Sequence, residues 1–192
     1  MSTPTRHAMP LNLATCLTLG RIVMIPVLVV LFYAPWEWTH RAAAMVFLAA
    51  ALTDWLDGWV ARRYGMYSDF GAFLDPVADK LAVTTALFVI VQSHPTILMA
   101  LLAAVIVGRE ITISALREWM AEIGERGTVK VAWVGKIKTI VQMLALIALL
   151  YREPWQGINV QLVGEILLAI AAVLTLWSGI AYLRAAWPAM RR

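Results

Sequence analysis

Cysteine is almost absent from this chain: Cys16 is the only one in 192 residues, so no internal disulfide can form and no set of thiolates can bind a metal. It stands in an apolar run, where packing is its expected role. Charge is scarce as well, at 15% of residues against 61% hydrophobic, with a mean hydropathy of +0.75. A water-soluble fold of this size cannot hide so much apolar surface, so the composition predicts an all-α, polytopic membrane protein. The chain has no serine, histidine and aspartate arrangement, no glycine-rich phosphate loop and no cysteine cluster, which removes the common hydrolase, nucleotidase and zinc-site readings. Its net charge of +4 sits in short loops rather than in a basic tract interleaved with aromatics, so no nucleic-acid partner is expected. There is no 20 to 50 residue repeat and no pair of inverted halves of the kind transporters show.

What the chain does have is an unusual concentration of acid. All five aspartates, Asp54, Asp57, Asp69, Asp75 and Asp79, fall within 26 consecutive positions, DWLDGWVARRYGMYSDFGAFLDPVAD. A carboxylate near a bilayer costs roughly 2.5–3.5 kcal/mol on insertion scales, so several together require a compensating cation or a water-filled cavity. Asp54 and Asp57 stand three apart and Asp75 and Asp79 four apart, so on helices each pair shares one face. Two such helices facing each other converge four carboxylates. An oxygen-only ligand set suits Mg²⁺ or Mn²⁺, and one or two ions are expected. Gly58 and Ala61 remove bulk beside Asp57, and Arg62 and Arg63 add positive charge there. A single Asp could equally be a helix cap and a single small residue a packing contact, but four acids at these intervals are poorly explained that way.

Apolar runs predict six spans, at about 11–33, 41–63, 71–91, 97 to before 124, 129–151 and 160–183, with a polar, loose segment over 1–10. The length is that of one domain, 1–192, and the first run has the extent of a span rather than of a cleavable leader. Trp36 and Trp38 mark an interfacial belt. Asp75 before Pro76 could cap the third helix, or that helix could begin near Asp69 with Pro76 inside it. His94, alone in a short link, is expected at the surface. Arg21 interrupts the first span and either snorkels or faces the acidic site. Most basic residues lie in the amino-terminal segment, the links after the second and fourth spans, and the carboxyl tail, so the positive-inside rule sets both termini and the acidic site on the cytoplasmic side. Arg109 and Arg117, eight apart, differ by about 80° around a helix and about 12 Å along it. Lys136 and Lys138, two apart, do not share a helical face, so one is expected ahead of the regular helix or reaching back.

Asp54, Asp57, Gly58, Ala61, Arg62, Gly71, Asp75 and Asp79 match, in residue and spacing, the signature of the CDP-alcohol phosphotransferase family of integral membrane enzymes, which this chain therefore resembles over nearly its whole length. The resemblance implies a bacterial cytoplasmic-membrane enzyme, a homodimer, that passes the phosphatidyl group of CDP-diacylglycerol to a second alcohol with release of CMP. It implies that Asp54, Asp57, Gly58, Ala61, Arg62, Gly71 and Asp75 form the nucleotide and metal site. Asp54, Asp57, Asp75 and Asp79 hold the metal, and Asp79 takes the proton of the acceptor hydroxyl. The segments MPLNLATCLTLGRIVMIP, GREITISALREWMAEIG and VGKIKTIVQM are similar to those of members whose acceptor is sn-glycerol 3-phosphate. Arg109, Arg117, Lys136 and Lys138 are then expected to clamp its phosphate, with Arg21 and Thr139 in the same set. The competing expectations are another acceptor (inositol phosphate, serine or phosphatidylglycerol), a structural role for these cations as partners of Glu110, Glu118 or the aspartates, or a divalent-cation transporter whose carboxylates line a pathway.

Overall fold

The computed structural model describes residues 13–64, 69–124 and 133–190. These form six helices: α1 (Leu13–Tyr33), α2 (Thr39–Tyr64), α3 (Asp69–Ser93), α4 (Ile97–Glu122), α5 (Trp133–Tyr151) and α6 (Val160–Met190). No strand occurs among the described residues. The amino-terminal segment 1–10 lies outside them. Helix α3 begins at Asp69 with Pro76 inside it, so Asp75 is not a cap. Helix α5 contains both lysines, so neither precedes the regular helix, and α6 runs seven residues beyond the expected 183.

Among the described residues three helices are long and apolar enough to cross a bilayer, over Thr15–Tyr33, Ile97–Glu122 and Val160–Pro188, and Ile137–Tyr151 is a shorter apolar helix. Large apolar side chains point outward along the apolar helices, Val30, Val173 and Trp177 among them. In water such a surface would drive aggregation; in lipid it is solvated. Cys16 also faces outward, against the packing role its apolar surroundings suggested. Trp36 and Trp38 stack at 5.2 Å between ring centroids and stay exposed, as belt residues do.

The chain divides into two compact units, 1–85 and 86–192. In the first, α1 packs on α2. Leu28 and Phe32 of α1 and Ala43, Phe47 and Ala50 of α2 are buried, and the small alanines let backbones approach closely. The inward stripe of α2 continues at helical spacing, from Ala43 through Phe47 and Ala50, to Asp54, so the acid occupies a core-facing position.

In the second unit α6 packs on both α4 and α5. Its buried stripe is Leu168, Ala171, Thr175, Ser178, Tyr182 and Ala186, apolar at one end and polar toward the other. Thr96 caps α4 by accepting from the Met99 amide at 3.1 Å. Helices α5 and α6 are joined by a turn in which Trp155 and Ile158 exchange backbone hydrogen bonds of 3.1 and 2.8 Å. Its central residues, Gln156 (φ 48°) and Gly157 (φ 80°), are both left-handed, which glycine adopts without steric cost. His94 lies in the link at the surface, as expected, its side chain 35% exposed, and it has neighbours there: its Nε2 lies 3.3 Å from Glu165 of α6, and Gln161 approaches the same ring.

Gly164 marks a close approach of α5 to α6. A Cβ there would stand 2.7 Å from Leu149 Cγ and 3.1 Å from the Leu149 backbone nitrogen, so the helices must part to admit it. Gly164→Ala is expected to lower stability by about 1–3 kcal/mol, read as a reduced melting temperature in detergent; an unchanged one would show that the pair relaxes freely.

Candidate active site

Two acids of the first unit, Asp54 and Asp79, gather around a cation. Arg21, 2% exposed, is carried on the inward face of α1, one turn from buried Thr18. Its Nη1 lies 2.8 Å from Asp54 Oδ1 of α2 and donates to Asp79 Oδ1 of α3 at 2.5 Å. One nitrogen thus holds two carboxylates from two helices. Thr18 Oγ1 donates to Asp75 Oδ1 at 2.5 Å, which ties the first acid of α3 to α1. Asp54 and Asp79 remain 44% and 45% exposed, so their remaining oxygens are open to a ligand.

Gly71, on the same helix as Asp75 and Asp79, is buried. Asp57, Gly58, Ala61 and Arg62 fall within α2, but their side chains lie outside the described residues, as does that of Lys136 in α5. Among the described residues no three acidic, histidine or cysteine side chains close into a metal set. The donor chemistry nonetheless fits a hard divalent cation: the available atoms are carboxylate oxygens, half exposed, brought to one point from α2 and α3. Asp57, one turn from Asp54, is the further carboxylate the sequence supplies.

Just along the same three helices the surface turns apolar. A narrow apolar groove is lined by Met24, Ile25, Leu28, Phe47, Ala50 and Ala82, with Val46 and Thr85 completing it. Met24, Ala50 and Ala82 stand three or four residues from Arg21, Asp54 and Asp79, one helical turn each. Charge and apolar room are therefore adjacent within one unit.

The second unit carries a basic cluster. Arg109 donates to Ser178 Oγ at 2.9 Å, its Nη1 is 3.6 Å from Glu110, and it lies over the Tyr182 ring at 5.5 Å from the centroid. Arg117 lies over the same ring at 5.0 Å and donates to the Tyr182 hydroxyl at 2.8 Å. Buried Lys138 is bound to Glu110 Oε1. Gly179 gives Arg109 its space, since a Cβ there would meet Arg109 Cγ at 3.3 Å. Three cations face one carboxylate in this set, leaving an excess of two positive charges. Thr139 points elsewhere, exposed and donating to its own helix at Gly135 O, 3.0 Å away.

The structure thus brings Arg21 together with Asp54, Asp75 and Asp79, and brings Arg109, Arg117 and Lys138 together separately. Thr18, Ser178 and Tyr182 were not foreseen, whereas Glu110 was named as a structural partner of these cations and is found paired with Arg109 and Lys138. Thr18 carried no signal, because a threonine in an apolar helix ordinarily bonds its own backbone. Glu110 did carry one: an acid in a membrane helix beside an arginine needs a partner.

These features define a class: a membrane-embedded, all-helical protein with an acidic, oxygen-rich site in one unit and a basic cluster in the other. The profile of the CDP-alcohol phosphatidyltransferase family matches residues 11–177, and the chain belongs to that family. It is 51% identical over 179 residues to a Yersinia pestis (strain Pestoides F) protein, covering 93% of this chain and 97% of that one. It is similarly 51% identical over 178 residues to a Shigella flexneri serotype 5b protein and 50% identical over 178 to one from Salmonella choleraesuis, covering 93% of this chain and 96% of each. All three carry the name CDP-diacylglycerol–glycerol-3-phosphate 3-phosphatidyltransferase.

Proposed function

We propose that this chain transfers the phosphatidyl group of CDP-diacylglycerol to sn-glycerol 3-phosphate, giving phosphatidylglycerophosphate and CMP in phospholipid biosynthesis. The observation that carries the reading is identity of about one half, across 93% of the chain, to proteins named for that reaction. The chemistry of both units agrees with it. The apolar side chains one turn from the acids offer a contact surface to the hydrocarbon part of a lipid donor. The excess of two positive charges among Arg109, Arg117, Lys138 and Glu110 suits a phosphate monoester dianion, for which arginine offers forked hydrogen bonds and lysine a point charge. Serine as acceptor has no such need.

In this reading Asp54, Asp57, Gly58, Ala61, Arg62, Gly71 and Asp75 cradle the nucleotide. Asp54, Asp57, Asp75 and Asp79 would hold Mg²⁺ or Mn²⁺. Such an ion supplies charge neutralisation at the diphosphate and to the departing CMP. Asp79 accepts the proton of the acceptor hydroxyl, whose oxygen forms a bond to the phosphorus next to the lipid. The bond from that phosphorus to the bridging oxygen breaks, and CMP leaves with its electron pair. Arg109, Arg117, Lys138 and Lys136 hold the acceptor's phosphate. The clustering of basic residues in alternate links supports six spans, a multi-pass place in the bacterial cytoplasmic membrane, and both termini and the acidic site facing the cytoplasm. The chain works as one catalytic domain and, like its family, as a homodimer.

The test is release of labelled CMP from CDP-diacylglycerol by the purified full chain, with glycerol 3-phosphate, inositol phosphate, serine or phosphatidylglycerol as acceptor. Release is expected with glycerol 3-phosphate alone, to fall at least about a hundredfold on chelation, and to return with Mg²⁺ or Mn²⁺. Release with a different acceptor overturns the assigned substrate; release indifferent to chelation overturns the metal.

A further inference from the structure

Tyr182 lies between the two arginines of the basic cluster. It is 6% exposed, packed with Ile113, Leu116, Met120 and Ala186, and on that count is a core residue of α6. Yet both guanidinium groups lie over its ring and its hydroxyl accepts from Arg117. Arg109 and Arg117 are the same sign and come from one helix, so nothing about α4 alone keeps them together. An aromatic ring attracts both through its quadrupole. A carboxylate in the same place would hold them equally well, but would cancel the charge an anionic ligand needs. The ring organises the pair and leaves its charge unspent.

We infer that Tyr182 is a positioning residue for acceptor recognition: its ring and hydroxyl hold Arg109 and Arg117 as an aligned pair for the phosphate of glycerol 3-phosphate. This rests on the assignment of those arginines to the acceptor. Preorganisation of this kind raises affinity by removing the need to order two long side chains on binding. Because Tyr182 acts on the acceptor only through the arginines, its loss should appear in one substrate's KM and not in the other's.

Tyr182→Phe keeps the ring and its packing and deletes the hydroxyl alone; Tyr182→Leu deletes the ring too. Tyr182→Phe is expected to raise KM for glycerol 3-phosphate about five- to tenfold, less than a buried hydrogen bond to a charged group would give because Arg117 is exposed. Tyr182→Leu should raise it several-fold further by loss of the cation–π contacts. KM for CDP-diacylglycerol and kcat should stay within about twofold. In an Arg117→Ala background Tyr182→Phe should add nothing, because the hydroxyl acts through Arg117. The inference is overturned if Tyr182→Phe leaves KM for glycerol 3-phosphate unchanged, raises both KM values together, or has the same effect in both backgrounds. If Arg117→Ala itself leaves that KM unchanged, the clamp fails and Tyr182's part with it. A raised KM in Arg117→Ala beside an unchanged one in Tyr182→Phe removes Tyr182 alone.

Discussion

Asp79→Asn is expected to lower turnover by about 10²–10⁴ while leaving binding of CDP-diacylglycerol within a few-fold of the unaltered chain, because it deletes a base and keeps an oxygen in place. The structure makes this substitution unusually clean. Asp79 shares Nη1 of Arg21 with Asp54, so when its charge is lost the buried guanidinium still has a carboxylate partner 2.8 Å away. The amide oxygen of asparagine can accept from the same nitrogen. The fold around the site should therefore survive, and the loss should fall on kcat. Single-turnover release of CMP and equilibrium binding of the donor, measured on one preparation, separate the two. Lost binding with retained rate would assign Asp79 to the donor cradle and leave the proton without its acceptor.

The acidic half of this arrangement was legible because it violates the expectations of an apolar chain. Asp54, Asp57, Asp75 and Asp79 are costly where they stand, and cost points to purpose. Their spacing placed each pair on one helical face, and α2 and α3 follow the expected course to within two residues. Arg21 was conspicuous for the same reason: the sequence offered it snorkelling, the acidic site or the acceptor's phosphate, and its contacts with Asp54 and Asp79 are those of the acidic-site reading. Partners of ordinary type left no trace at all. Thr18 is 57 residues from Asp75, and Tyr182 is 65 from Arg117. A threonine or tyrosine in a membrane helix is unremarkable by composition, and its role exists only through tertiary packing. His94 was rightly placed at the surface, but one histidine in a link says nothing of Glu165 on α6. Lys138 shows a middle case: the sequence put it among the expected clamp residues, but its burial against Glu110 exists only through the packing of α5.

Arg21→Met gives the second large effect, and it tests what binds the acidic site together. Methionine fills similar volume but leaves Asp54 and Asp79, both drawn toward one nitrogen, facing each other without that countercharge. Removing one partner of a fully buried ion pair costs about 3–5 kcal/mol. Here both carboxylates keep nearly half their exposure and stay partly solvated, so about 1–3 kcal/mol is expected. Turnover should fall at least about a hundredfold, because the base and the donor cradle lose the contact that aligns them. Combining Arg21→Met with Asp79→Asn separates the two consequences. The second change removes one of the two repelling charges, so melting temperature should recover most of the loss, while activity stays at the level of Asp79→Asn or below. A double variant no more stable than Arg21→Met would mean that repulsion between Asp54 and Asp79 is not what the guanidinium relieves. Its role would then be to pack α1 against its neighbours rather than to balance the charge of the site.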